Sequence, residues 1–115
     1  MLQFVNKYTT TVQVTIMWYT PGCDDGDWTK KGWWVLNPGQ SAIVHGEDLA
    51  DINRYWCYFA SGWDGTSFWS GPISRHVIFP AFEWCEFRAN TSSVPVGYRI
   101  LDCNDIDDLI VELIP

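Results

Sequence analysis

The segment from Arg54 to Pro72, RYWCYFASGWDGTSFWSGP, restricts the fold more than any other part of the chain. Seven of the fifteen residues from Tyr55 to Trp69 are aromatic. The run is broken at Gly62 and at Asp64-Gly65, a dipeptide that turns tightly because both residues tolerate positive φ. The stretch therefore reads as a β-hairpin with an aromatic wall. Such a wall can serve as core, as a ligand platform or as both, and the residues leave that choice open.

The flanking chain carries the same signature. From Thr11 to Tyr19, Val12, Val14, Ile16 and Trp18 alternate with Thr11, Gln13, Thr15 and Met17, a period of two that marks a half-buried strand. Leu2 to Val5, Trp33 to Leu36, Ser41 to His45, Ser74 to Phe79, Tyr98 to Cys103 and Leu109 to Ile114 read as further strands. Asn37-Pro38-Gly39 closes one pair, with Pro preset at the first central position of a turn and Gly supplying positive φ at the second. Cys23 to Thr29 reads as an exposed acidic loop carrying Trp28, Gly46 to Asn53 as a loop too short for more than a turn or two of helix, and Ala81 to Arg88 as either helix or strand. Eight to ten short strands without a convincing helix predict an all-β chain, an antiparallel β-sandwich or jelly roll.

A length of 115 residues fits one domain spanning 1–115. Each of the eight Trp can bury ~150 to 250 Å², so the chain holds more indole than its core obviously needs. The formal net charge of −7 repels a phosphate backbone, and only Lys30-Lys31 are adjacent cations, which excludes nucleic acid as a partner. The longest apolar run, Tyr55 to Ala60, is far below the ~20 residues of a membrane span. The first residues lack the features of a secretory signal, so the expectation is a cytosolic chain, or a secreted one whose leader has been removed. Of four cysteines, Cys57 reads as a buried thiol inside a strand, while Cys23 and Cys85 fall in loop-like contexts.

Lys31-Gly32-Trp33-Trp34 with Pro38-Gly39, Trp69-Ser70-Gly71-Pro72 and Phe82-Glu83-Trp84-Cys85 occur in an order that resembles the uncharacterised family called domain of unknown function 1036. Phe4-Val5-Asn6, Pro21-Gly22-Cys23 and Trp28 fit the same pattern, so the likeness spans nearly the whole chain. The resemblance implies a compact β-domain and brings no catalytic residues, substrate or cofactor. It also suggests that Cys23 and Cys85 are partners, the alternative being two reduced surface thiols. Val35 stands where a basic residue is expected, so a charged contact beside the paired Trp is absent here.

Catalysis has little to stand on. His45 and His76 are the two histidines, and neither sits in a nucleophile motif, so the chain is expected not to be an enzyme. Asp24, Asp25 and Asp27 around Gly26 offer the hard oxygens that Ca²⁺ takes, against the plainer reading of a solvated acidic loop. The aromatic surplus is the most informative feature. A sugar stacks its C–H face on indole while acids and amides meet its hydroxyls, and pockets in general join an apolar floor to a few placed polar groups. Trp28, Trp33, Trp34, Trp63, Asp64 and Trp69 are accordingly the candidate ligand-binding residues of a lectin-like, carbohydrate-binding module. Because adjacent strand residues face opposite sides, either Trp33 or Trp34 must leave the inter-sheet core. The competing reading buries the surplus rings in a homo-oligomer interface.

Overall fold

A computed structural model describes residues 1–24, 26–49 and 53–115. These form ten strands: β1 (Leu2–Asn6), β2 (Val12–Tyr19), β3 (Trp28–Leu36), β4 (Ser41–His45), β5 (Tyr55–Gly62), β6 (Phe68–Trp69), β7 (Ile73–Val77), β8 (Phe82–Cys85), β9 (Val94–Asp102) and β10 (Leu109–Leu113). The architecture is the expected all-β sandwich. A small sheet ordered β10-β1-β4 covers part of a large sheet ordered β7-β9-β5-β2-β3-β8, with β6 also paired to β5. Neighbouring strands run antiparallel except β1 and β10, which are parallel.

The large sheet is curled, and the curl gives the molecule two interiors. Leu2 and Phe4 of the small sheet pack on Val12, Val14, Ile16, Trp56 and Tyr58 to form the inter-sheet core. Met17, Cys57, Phe59, Val77, Phe82 and Tyr98 form a second core inside the curl. The strand from Thr11 to Tyr19 is therefore not half-buried: Thr15 and Met17, on its expected solvent face, are buried as fully as their neighbours, because the curled sheet closes over them. Cross-sheet contacts hold the curl. Although β7 and β8 lie at opposite ends of the strand order, the Trp33 indole N–H donates to the Ile78 carbonyl (2.8 Å) just beyond β7.

Trp33 and Trp34 resolve their competition through this second core. The pairing of β2 with β3 slips between Val14 and Thr15, so that Trp34 opposes Val14 and Gly32 opposes Thr15, which leaves Trp33 as the extra residue of a bulge. A bulge re-aims a side chain. Trp34 joins the inter-sheet core and Trp33 leaves it, not for solvent but for the curl, where it stacks on Phe79 and meets Phe59 and Phe82 edge-on. Of the eight indoles, Trp63 alone is largely exposed, at 63%.

Two local expectations change. Trp28 lies in no exposed loop but opens β3, opposite Tyr19. The ambiguous segment at Ala81 resolves into β8, paired with β3 from Gly32 to Thr29. The proposed loop at Gly46 to Asn53 lies partly outside the described residues; the backbone N–H of Asn53 donates to the Leu49 carbonyl (2.9 Å).

Candidate functional site

Where the curl opens beside the first residues of β5 and β7 it leaves a cleft of about 260 Å³, close to the ~300 Å³ at which small-molecule pockets commonly begin. The buried side chains of Met17 and Cys57 form its floor. Trp28 and Ile73 make walls, and the half-exposed Tyr55 and Ile100 lie at its rim. Arg75 and Glu86 are the charged residues of the lining. The mouth of a curled or closed sheet is a usual place for a ligand pocket.

Strand geometry explains why these residues meet. In β7, Ile73, Arg75 and Val77 share a face, and Val77 belongs to the second core, so Arg75 is carried over the cleft. Its Nε donates to Glu86 Oε2 at 3.2 Å, its Nη2 lies in ion-pair contact with the same oxygen at 3.2 Å, and its Nη1 donates to the Ser74 carbonyl at 2.7 Å. Glu86 follows β8, and its backbone N–H donates to the Trp28 carbonyl (2.8 Å). The Cys23–Cys85 disulfide spans a Cα–Cα distance of 5.7 Å and ties the β2–β3 loop to the same end of β8. Gly26 of that loop has φ +101°, and a Cβ there would come within 2.5 Å of Glu86 Cγ. Loop, disulfide and carboxylate thus pack as one unit behind Trp28.

Beneath this unit lies Lys30, a fully buried cation. Its ammonium donates to the His76 carbonyl and to the Arg88 carbonyl (2.8 Å), and lies 5.5 Å from the Trp84 ring centre. Desolvation, with Arg75 adding repulsion and Glu86 opposing both, lowers its pKa from 10.5 to about 8. Burial also pushes the Cys57 thiol up to about 11, so the cleft floor holds a protonated thiol at neutral pH and not a reactive thiolate.

The expected ligand-binding residues do not converge on one site. Trp28 lines the cleft, whereas Trp63 follows Gly62 at the far end of β5, and an eight-residue strand spans roughly 25 Å. Asp64 is spent on its own turn: its carboxylate accepts from the Tyr8 hydroxyl (2.7 Å), from Ser67 Oγ (3.0 Å) and from the backbone N–H groups of Thr66 and Ser67. These bonds, Tyr8 first, hold it below the usual carboxylate range. Trp69 packs edge-on against Tyr8 at 5.3 Å and donates to the Ile114 carbonyl at 3.1 Å. Trp33 and Trp34 are committed to the two cores. For the proposed calcium ligands, Asp24 and Asp27 are exposed and Asp25 lies outside the described residues. Among the described residues no group of three or more His, Cys, Asp or Glu could hold a metal ion.

The histidines find structural company. His76 Nδ1 lies 3.2 Å from Ser93 Oγ, but that hydroxyl donates to the Asn90 carbonyl within an exposed turn. His45 packs on Trp56 with ring centres 4.8 Å apart, and burial lowers its pKa. Both rings line a second, smaller cavity of about 120 Å³ beside β4, and neither His45 Nε2 nor Trp56 Nε1 has a hydrogen-bond partner among the described residues.

Sequence reasoning missed Tyr55, Arg75, Glu86 and Lys30. Arg75 was findable, since the alternation from Ser74 to Phe79 sets it on the same face as Val77 and Phe79, an odd place for a cation on a core-facing side. Lys30 was not, because its strand seemed to begin three residues later. No family model matches the chain, and no curated protein or solved structure matches it either. No helix among the described residues is long and apolar enough to cross a membrane.

Proposed function

We propose that this chain is a non-catalytic binding module whose ligand enters the cleft between Trp28, Tyr55 and Arg75. The observation that supports the reading is the convergence of an apolar floor, two aromatic rings and a hydrogen-bonding Arg75–Glu86 pair in one concavity. The finer proposal is a sugar ring, whose C–H face lies on Trp28 while its hydroxyls meet Arg75 and Glu86. Absence of catalysis is part of the same proposal. An acid catalyst needs a carboxyl pushed up toward neutral pH, whereas the carboxyls that the fold shifts among the described residues, Asp64 and Asp102, move down. The likeness to the uncharacterised β-domain family is likewise proposed, on its motif residues alone.

A glycan array probed with wild type, Tyr55→Ala and Trp63→Ala tests the reading. Retention should fall at least tenfold in Tyr55→Ala and stay unchanged in Trp63→Ala. Equal loss in both variants, or no retention by wild type, would remove the cleft as a glycan site.

One observation favours a second reading, self-association. Phe68 and Phe79 are each 59% exposed and stack on Phe59 and Trp33 of one cluster, an apolar patch that a second copy could cover. A light-scattering mass equal to one chain at high micromolar concentration would end it.

A further inference from the structure

The charges around the cleft do not cancel. Arg75 and Lys30 bring two cations against the single carboxylate of Glu86, and all three are largely withdrawn from solvent: the side chains of Arg75 and Glu86 are 25% and 9% exposed, and Lys30 is buried. An uncompensated positive charge in such a place is costly, and it stands out in a chain whose net charge is −7. Arg75 has capacity to spare. Of the five N–H donors of a guanidinium, two are engaged in hydrogen bonds, to Glu86 and to the Ser74 carbonyl, which leaves three without a hydrogen bond among the described residues.

We propose that the ligand of this cleft carries a carboxylate on a compact ring, the ring lying against Trp28 and Tyr55 and the carboxylate meeting two of the uncommitted N–H groups of Arg75. The proposal rests on the cleft being a ligand site and adds the charge of the ligand to it. Guanidinium and carboxylate suit one another because the planar fork offers two parallel donors to two oxygens. The anion restores charge balance to the Arg75, Lys30 and Glu86 group, and Glu86 keeps Arg75 aimed while the ligand is absent. A neutral ring with the same outline leaves that imbalance in place.

The affinity of an anion here depends on pH through Lys30. The charged groups that act on it are Arg75 from β7 and Glu86 from the segment after β8, while the Arg88 backbone carbonyl accepts from its ammonium; the Cys57 thiol of β5, which feels the same Arg75 and Glu86, stays protonated to about 11. Between pH 7 and 9 Lys30 is the member of this group that loses charge, around 8, so anion affinity falls as pH rises through that value.

Four probes separate the two layers of the argument: glucuronate against glucose, and cyclohexanecarboxylate against cyclohexylmethanol, titrated calorimetrically into wild type, Arg75→Gln and Glu86→Gln at pH 7 and 9. The account expects at least one carboxylate to bind wild type tenfold or more tightly than its neutral partner. That gap should close in Arg75→Gln, widen in Glu86→Gln and narrow at pH 9. Equal binding of acid and neutral partner overturns the charge assignment and leaves the cleft reading standing, with the preferred pair telling sugar from apolar ring. Binding of none of the four overturns both. Far-ultraviolet circular dichroism checks each variant's fold, and Glu86→Gln carries the test alone if Arg75→Gln unfolds.

Discussion

Lys30 shows how far a single residue can depart from its sequence context. Adjacent lysines in a polar stretch read as surface, yet Lys30 faces the curl and Lys31 faces out, where it pairs loosely with Glu83 at 3.9 Å. The alternation of a strand separates them, and nothing in the run Asp27-Trp28-Thr29-Lys30 announces that strand. Burial has a measurable consequence. Between about 8, where Lys30 titrates in the fold, and its ordinary 10.5, the unfolded chain holds the extra proton, so stability rises with pH over that window. Cys57 opposes this from 9.0 to about 11, where the unfolded chain releases a proton that the buried thiol keeps. Urea denaturation from pH 7.5 to 9 should therefore show wild type gaining stability, by at most about 1.4 kcal/mol per pH unit, while Lys30→Met stays flat. A flat wild-type profile would put the ammonium in contact with water.

Among the elements, those with strong alternation and clear turns were legible: β1, β2, β4 and β10 fall within a residue or so of their expected bounds. Two elements beside the cleft, the start of β3 and β8, were not, for a shared reason. Trp28 to Lys31 and Phe82 to Cys85 carry charges that hide their pattern, and they become strands because they pair with each other and are clamped by Cys23–Cys85. This cross-link encloses a separation of 62 residues, for which chain entropy predicts about 4 kcal/mol of stabilisation. The double variant Cys23→Ser/Cys85→Ser should lose roughly that amount in urea denaturation and bind the cleft ligand more weakly, since Trp28 and Glu86 flank the bridge. A loss confined to stability, with affinity intact, would show that the bridge does not shape the cleft.

For the molecule as a whole, the surplus of aromatic rings had a structural outlet that one-core reasoning overlooks. A flat sandwich has a single interior and would leave about half the rings on its outer faces. Curling the larger sheet creates a second interior that absorbs Trp33 and much of Trp28 and Trp84, so the platform narrows from a field of exposed indoles to one cleft and one bare ring, Trp63. Which of these two binds is the central question. Indole and guanidinium resonances in a ¹H–¹⁵N spectrum, followed during titration with the tightest-binding ring probe, answer it most directly. The account predicts saturable shifts at Trp28 Nε1 and Arg75 Nε with Trp63 Nε1 unmoved; shifts at Trp63 while Trp28 and Arg75 stay still would contradict it.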